Sequence, residues 1–181
     1  MMNLHGQNIL ITGAQAVSAL VAALPPIHAL LNIAGGFAVG VMGHDPDDAQ
    51  WDAMFQRNVA TLRSVIKAVV PGMKERKAGC IVNVGALSAL HGSASMSAYT
   101  ASKSVVMNLT ESLATELGPE GIRVNAVLPS IIDTPANRQA MPLANPGDWV
   151  RPDDIANVMC FLMSKQSRAI QGALIPVTGG R

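Results

Sequence analysis

Tyr99 and Lys103 stand four residues apart in the run Tyr99-Thr-Ala-Ser-Lys103. On a helix that spacing is about one turn, so both side chains share one face. A free tyrosine titrates near about 10, and a nearby ammonium favours the phenolate. Such a pair can give a proton to, or take one from, a substrate oxygen or nitrogen. Two polar residues at helical spacing are more often unrelated, so the pair gains weight only from its surroundings. A third candidate is Asn58, which interrupts the apolar stripe Trp51, Met54, Phe55, Val59, Leu62, Val65, Ile66, Val69. An amide on a buried face needs hydrogen-bond partners, which makes Asn58 either a satisfied structural residue or part of a polar site.

The elements that must position these residues alternate between strand and helix. Strands are expected at about Asn8–Thr12, Ala29–Ile33, Cys80–Val84, Ile122–Leu128 and Ala173–Val177, where β-branched and aliphatic residues cluster. Helices are expected at about Val17–Leu24, ended by Pro25-Pro26, then Asp47–Val70, Ser97–Leu117 and Pro152–Ser164. Asp45 is the expected N-cap of the second helix, with Pro46 at its first position. Gly118-Pro119 closes the third. This alternation predicts a single α/β domain over residues 1–181 with a doubly wound, Rossmann-like parallel sheet.

Composition narrows the function classes. Hydrophobic residues make up 49% and charged residues 14% of the 181, with a formal net charge of +1, the balance of a buried globular core rather than of disorder. No long basic tract is present. Lys74-Glu75-Arg76-Lys77 is mixed in sign and reads as a solvated turn, so no nucleic-acid partner is expected. Residues 1–44 contain no Asp, Glu, Lys or Arg. Pro25-Pro26, His28, Asn32 and Gly35-Gly36 interrupt that stretch before it reaches the ~20 apolar residues a membrane span needs. Cys80 and Cys160 are far apart and lack metal-ligand spacing, so neither a disulfide framework nor a metal site is expected, and a reducing cytoplasm fits. No charged region precedes the apolar start, so a secretory signal is not expected.

The motifs around Tyr99 resemble those of the short-chain dehydrogenases/reductases, in the same order along the chain. Ile9-Leu-Ile-Thr-Gly13 resembles their first strand and turn, and Leu31-Asn32-Ile-Ala34-Gly35 their N-x-A-G turn. Asn58 falls where they carry an active-site asparagine, and Cys80-Ile-Val-Asn-Val84 resembles the strand leading to the catalytic loop. Val124 to Pro129, Asp133-Thr134-Pro135, Asp154-Ile155-Ala156 and Gly172 to Gly180 resemble the remaining segments. The likeness spans residues 8–180. It implies hydride transfer with NAD or NADP on a small-molecule substrate, Tyr99 as proton donor, Lys103 tuning it and holding the nicotinamide ribose, and Asn58 supporting a water in the proton relay. It further implies cofactor contacts from Thr12, Gly13, Asn32, Ala34, Gly35, Pro129, Ile132 and Thr134, largely through the backbone. A homo-oligomer, dimer or tetramer, joined through the helices Asp47–Val70 and Ser97–Leu117, is implied as well.

Two departures stand out. Where most of the family places a catalytic serine, this chain has Ala86, and Ser88 is the nearest hydroxyl. If the strand continued, Ser88 would share the face of Ala86 and could substitute. The dihydropteridine reductase branch of the family also lacks that serine. The chain is similar to it at Ala34-Gly-Gly36, Gly85 to Gly92, Val127-Leu-Pro129, Asp133 to Arg138 and Met141-Pro142, which implies a pteridine-like or carbonyl substrate whose charge builds up elsewhere than on a simple carbonyl oxygen. The second departure is in the dinucleotide turn. The glycines expected four and six residues after Gly13 are Val17 and Ala19, and the first acid and first base are Asp45 and Arg57. No side chain before them can hold a ribose hydroxyl or a 2′-phosphate by charge. A βαβ unit and a further strand, the second and third strands of the fold, are therefore expected to be missing near Ala14–Ala16. Their loss is expected to bare one face of the first two strands.

These features leave two classes of function, an oxidoreductase or an inactive relative that serves as a binding or assembly subunit. The incomplete turn generates a first prediction. NADH should bind the 181-residue chain much more weakly than it binds a relative with an intact glycine-rich turn. Titration calorimetry measures this directly, and tight micromolar binding would contradict the reading of the turn.

Overall fold

The computed structural model describes residues 7–11, 21 and 23–179. Five parallel strands form one sheet in the order β1-β2-β3-β4-β5: β1 (Ile9–Ile11), β2 (Ala29–Asn32), β3 (Gly79–Val84), β4 (Ile122–Pro129) and β5 (Leu174–Val177). The register aligns Leu30 with Ile81 and Ile81 with Val124. Strand order follows chain order without reversal among the described strands. A complete doubly wound sheet reverses at a switch point. With its second and third strands missing, β1 instead becomes an edge and pairs directly with β2.

The period of two along each strand sends alternate side chains to opposite faces. Leu30, Ile81 and Val124 enter one core with Leu62, Val65, Val69, Val106 and Ala114. Ala29, Leu31, Cys80, Val82 and Val127 enter the other with Ile155, Met159, Leu162 and Met163. The first core lies under helices α2 (Thr61–Glu75) and α3 (Ser97–Leu117), and the second under α5 (Pro152–Met163). Strands buried on both faces explain why they read as nearly continuous apolar runs. The expectation of a bare face fails at β2, where Ala29, Leu30 and Leu31 are all buried. In β1, Ile9 and Leu10 are half-buried. Among the described residues no helix is long and apolar enough to cross a membrane.

Helix α1 (Ala49–Phe55) runs through a π-helical turn at Gln56–Ala60 into α2. Met54, Asn58 and Leu62 recur every four residues and are all buried. On a 3.6-residue helix that spacing drifts by about 40° per step, and the wider turn keeps the three on one face. The expected bounds need three corrections. Asp45 is not the N-cap: its Oδ1 accepts from Asp47 N (3.0 Å) and Asp47 Oδ1 accepts from Ala49 N (2.9 Å), two successive Asx turns that delay the helix. The helix also passes Val70 and Pro71, because the apolar stripe continues to the fully buried Met73 beneath Gly79. The expected helix at Val17–Leu24 falls mostly outside the described residues, and its last residues form a turn closed by Leu24 N to Val21 O at 3.2 Å. A short helix α4 (Pro135–Ala140) was not expected. Its signal was present: Thr134 is the N-cap and accepts from Asn137 N, and Pro135 takes the first helical position.

A buried polar chain crosses the sheet into α3. Asn32 Nδ2 donates to Asn83 Oδ1 (2.8 Å), Asn83 Nδ2 to Thr110 Oγ1 (2.9 Å), and Thr110 Oγ1 to Val106 O (2.8 Å). Removing one member of a satisfied buried chain strands its neighbour. Thr110→Val keeps the side-chain shape and leaves Asn83 Nδ2 without its acceptor. We expect a loss of about 1–3 kcal/mol, read from the urea midpoint. An unchanged midpoint would show that this bond contributes nothing.

Candidate active site

In open α/β sheets, ligand sites form beyond the carboxyl ends of the strands. Here the segments leaving β2, β3 and β4 carry Gly35-Gly36, Ala86 and Ser130–Thr134, and α3 contributes Tyr99 and Lys103 from its first turns. Asn58 enters from the π turn and is 2% exposed. Its Oδ1 accepts from Gly36 N at 2.7 Å, and its Nδ2 donates to Gly36 O (3.1 Å) and to Ser102 Oγ (2.9 Å). Ser102 Oγ donates in turn to Tyr99 O at 2.8 Å. The expected need of Asn58 for partners is met, and the bonds join the turn after β2 to the helix that bears Tyr99.

Lys103 is buried and donates from Nζ to Val84 O at 2.8 Å. A Cβ placed on Gly35 would lie 2.9 Å from Asn58 Oδ1 and 3.2 Å from Lys103 Nζ. Any larger residue at 35 would push into both. Gly35, Asn58 and Lys103 thus meet at one point, one helical turn from Tyr99. Burial pushes the Lys103 ammonium down to a pKa of about 8. Burial likewise pushes the Tyr99 phenol above its ordinary value. Burial is the cause that acts on the phenol in this structure, and it holds the proton more firmly than on a free tyrosine.

The remaining candidates divide. Ala34 flanks Gly35 in the turn after β2, and Pro129 ends β4 beside Val177. Asn32 turns its amide nitrogen into the sheet toward Asn83, so that group is engaged in the core. The Thr134 hydroxyl caps α4, and Ile132 O accepts from Asn137 Nδ2 at 2.8 Å. Asp133 takes a two-pronged ion pair from Arg138 (2.6 and 2.9 Å), which holds its carboxyl below the usual range. Thr12 and Gly13 lie outside the described residues. Ala86 is extended and buried against Met107 and Leu128. The strand does not continue beyond it. The chain enters a 3₁₀ turn at Leu87–Leu90 that leaves Ser88 exposed, so the shared face expected for Ser88 does not form. Sequence reading missed Ser102, which only its contact with Asn58 reveals, and Phe37, whose ring meets Tyr99 edge-on at 4.9 Å between centroids.

A half-buried phenol, a buried lysine one helical turn away and a glycine turn packed against that lysine meet beyond the carboxyl ends of the strands. Comparison with known proteins identifies the family. A family model described as enoyl-(acyl carrier protein) reductase matches residues 12–181. The chain is 34% identical over 183 residues to 2-(S)-hydroxypropyl-CoM dehydrogenase 3 of Xanthobacter autotrophicus, covering 92% of this chain and 72% of that protein. It is also 34% identical to inactive 2-(S)-hydroxypropyl-CoM dehydrogenase 2 of the same organism, covering 94% and 81%. Among solved structures, a 3-oxoacyl-[acyl-carrier protein] reductase with bound NAD from Brucella melitensis matches with a TM-score of 0.78 and 31% identity, covering 91% of this chain and 67% of that one. The chain belongs to the short-chain dehydrogenase/reductase family and is an oxidoreductase of that type.

The buried lysine has a consequence for stability. With a folded pKa of about 8 against 10.5 when free, Lys103 binds fewer protons folded than unfolded between those values. Stability therefore rises with pH across that window, by about 2 kcal/mol at most from pH 8 to 9.5. Tyr99, raised rather than lowered, acts in the opposite direction only above its free value near about 10. Urea titrations at several pH values on the chain and on Lys103→Met measure the difference. A parallel pH dependence in the two would contradict a depressed lysine.

Proposed function

We propose that the chain transfers a hydride between a nicotinamide cofactor and a small carbonyl or pteridine-like substrate, with Tyr99 as the proton donor. The observation that carries this reading is the convergence of Lys103 Nζ and Asn58 Oδ1 on Gly35, one helical turn from Tyr99. When bound, the cofactor supplies or accepts the hydride. Lys103, with one proton taken by Val84 O, has two left for the ribose hydroxyls. Gly35 lets that group come close, and Ala34, Pro129, Ile132 and Thr134 line the site, the last two through backbone atoms not used by Asn137. Asn58 keeps the turn after β2 in place and supports the relay toward Lys103. A phenol that stays neutral suits the reductive direction, in which Tyr99 gives its proton as the hydride arrives.

The fit ends at the ribose. No charged side chain precedes Asp45, so the adenosine half has no acid or base from the first two strands to hold it. Ala86 offers no hydroxyl beside Tyr99, which favours substrates that gather charge on a ring nitrogen or a conjugated system over simple ketones. The helices expected at Asp47–Val70 and Ser97–Leu117 are the surfaces through which a homo-oligomer would form. The inactive 34%-identical relative and the incomplete turn favour a second reading, an inactive binding or assembly subunit.

Mutants separate these readings. Tyr99→Phe keeps the ring and its packing and removes only the proton donor, so turnover should fall by about 10²–10⁴-fold with the fold unchanged. Ser88→Ala should be mild, since Ser88 is exposed on its turn, and Ala86→Ser should matter less than Tyr99→Phe. Steady-state hydride transfer with a quinonoid dihydropteridine and a panel of small carbonyls provides the measurement. Full activity in Tyr99→Phe on every accepted substrate would remove Tyr99 from the mechanism. A loss in Ser88→Ala as large as in Tyr99→Phe would move the relay to Ser88. No turnover of any substrate at saturating NADH or NADPH would leave the inactive subunit.

A further inference from the structure

Phe37 is unusual among the residues near Tyr99. It is 60% exposed, yet the segment that carries it is held on both sides. Before it, Gly36 exchanges two hydrogen bonds with the buried Asn58 amide, 2.7 and 3.1 Å. After it, Gly40 N donates to Ser95 O at 2.9 Å, and Ser95 Oγ lies 3.2 Å from Met42 Sδ. Ser95 has a φ of 59°, a left-handed conformation that costs a non-glycine residue free energy and persists only where its surroundings impose it. An aromatic ring is thus presented to solvent on a pinned loop, 4.9 Å from the Tyr99 ring at an interplanar angle of 76°.

The chemistry of the surrounding chain is uniform. Residues 33–43 and 85–99 contain no Asp, Glu, Lys or Arg. Val39 and Met42 on the same loop and Leu90 on the opposite one are each about half exposed, at 55%, 47% and 47%. Arg57 covers Gly36 with its aliphatic Cδ, and Arg138 is already paired with Asp133. Lys103 Nζ is buried and bonded to Val84 O, so a carboxylate or phosphate on the Phe37 side of Tyr99 would meet mainly apolar side chains and lose its water with little compensation.

We propose that Phe37 is a specificity-determining residue, whose exposed ring stacks against a planar, uncharged ring of the substrate while Tyr99 addresses an atom at that ring's edge. The inference rests on Tyr99 being the proton donor for its functional meaning, but its test does not require turnover. An edge-on Phe37–Tyr99 contact leaves part of the Phe37 ring for a third aromatic partner, the geometry that aromatic clusters favour. The pinned loop means little ordering is needed when the ligand arrives.

Titration calorimetry or ligand-observed NMR on the 181-residue chain, without cofactor, tests this with three probes. These are acetylnaphthalene (planar, neutral), acetylcyclohexane (saturated, neutral) and acetylnaphthoate (planar, anionic). Acetylnaphthalene should bind tightest. Phe37→Leu, which keeps apolar area but removes the ring, should weaken that binding about two- to tenfold and erase the preference over acetylcyclohexane. Phe37→Tyr should retain it, and unchanged circular dichroism spectra in both variants exclude a folding defect. Equal affinity in Phe37→Leu, tightest binding of acetylnaphthoate, or no binding of acetylnaphthalene to the unmodified chain would each overturn the proposal. Full turnover in Tyr99→Phe would instead overturn the assignment of the proton donor and leave ring recognition by Phe37 standing.

Discussion

The Asn58 amide is the joint on which the site depends. Its three hydrogen bonds tie together parts of the chain that no strand ladder connects: the turn after β2, the π turn between α1 and α2, and the second turn of α3. A buried primary amide has two donors and two acceptor positions to satisfy, and the cost of leaving any of them unpaired forces the three segments into one arrangement. Gly35 is then placed beside Lys103, and Phe37 beside Tyr99, as consequences of the same constraint. The π turn supplies the angular correction that lets Asn58 stand in line with Met54 and Leu62. Such turns interrupt helices at a cost and recur at functional sites.

Lys103 sets the second constraint. An ammonium held at 6% exposure with Val84 O as its protein acceptor is costly to keep charged, which its depressed pKa expresses. A chain selected for stability alone would place an aliphatic residue there. A strongly perturbed ionisable group beyond the carboxyl ends of the strands is the kind of residue that functional sites collect. Tyr99, one helical turn away, is partly buried as well, and burial raises its phenol in turn.

The sheet carries the mark of the shortened nucleotide-binding half. Strand order that rises without reversal places β1 at an edge, where a complete relative would continue into further strands. The core does not suffer at β2, because Ala29 and Leu31 are sealed within the cluster that includes the residues of α5, while Leu30 is sealed under α2 and α3. The shortening therefore falls at the β1 edge and leaves the packing of β2, β3 and β4 intact.

Periodicity and motif spacing in the sequence determined the alternating elements, the parallel sheet, the family and the cluster Tyr99, Lys103 and Asn58, because those features depend on local spacing and on residue types with few alternative uses. The missing strands were legible too, since a glycine pattern and a charge pattern both break at the same place. Only the tertiary structure decided the rest. It showed that burial raises the Tyr99 phenol and lowers the Lys103 ammonium, an effect set by how much water the fold removes and invisible in spacing. It turned Ser88 outward, because the backbone after Ala86 coils rather than extends. It gave Asn32 and Thr134 structural partners, and it brought Ser102, Gly36 and Phe37 to the site across separations of 22 to 62 residues from their partners Asn58 and Tyr99. Contacts at that distance along the chain are fixed by packing and by the need to satisfy buried polar groups, and neither leaves a pattern in the local sequence.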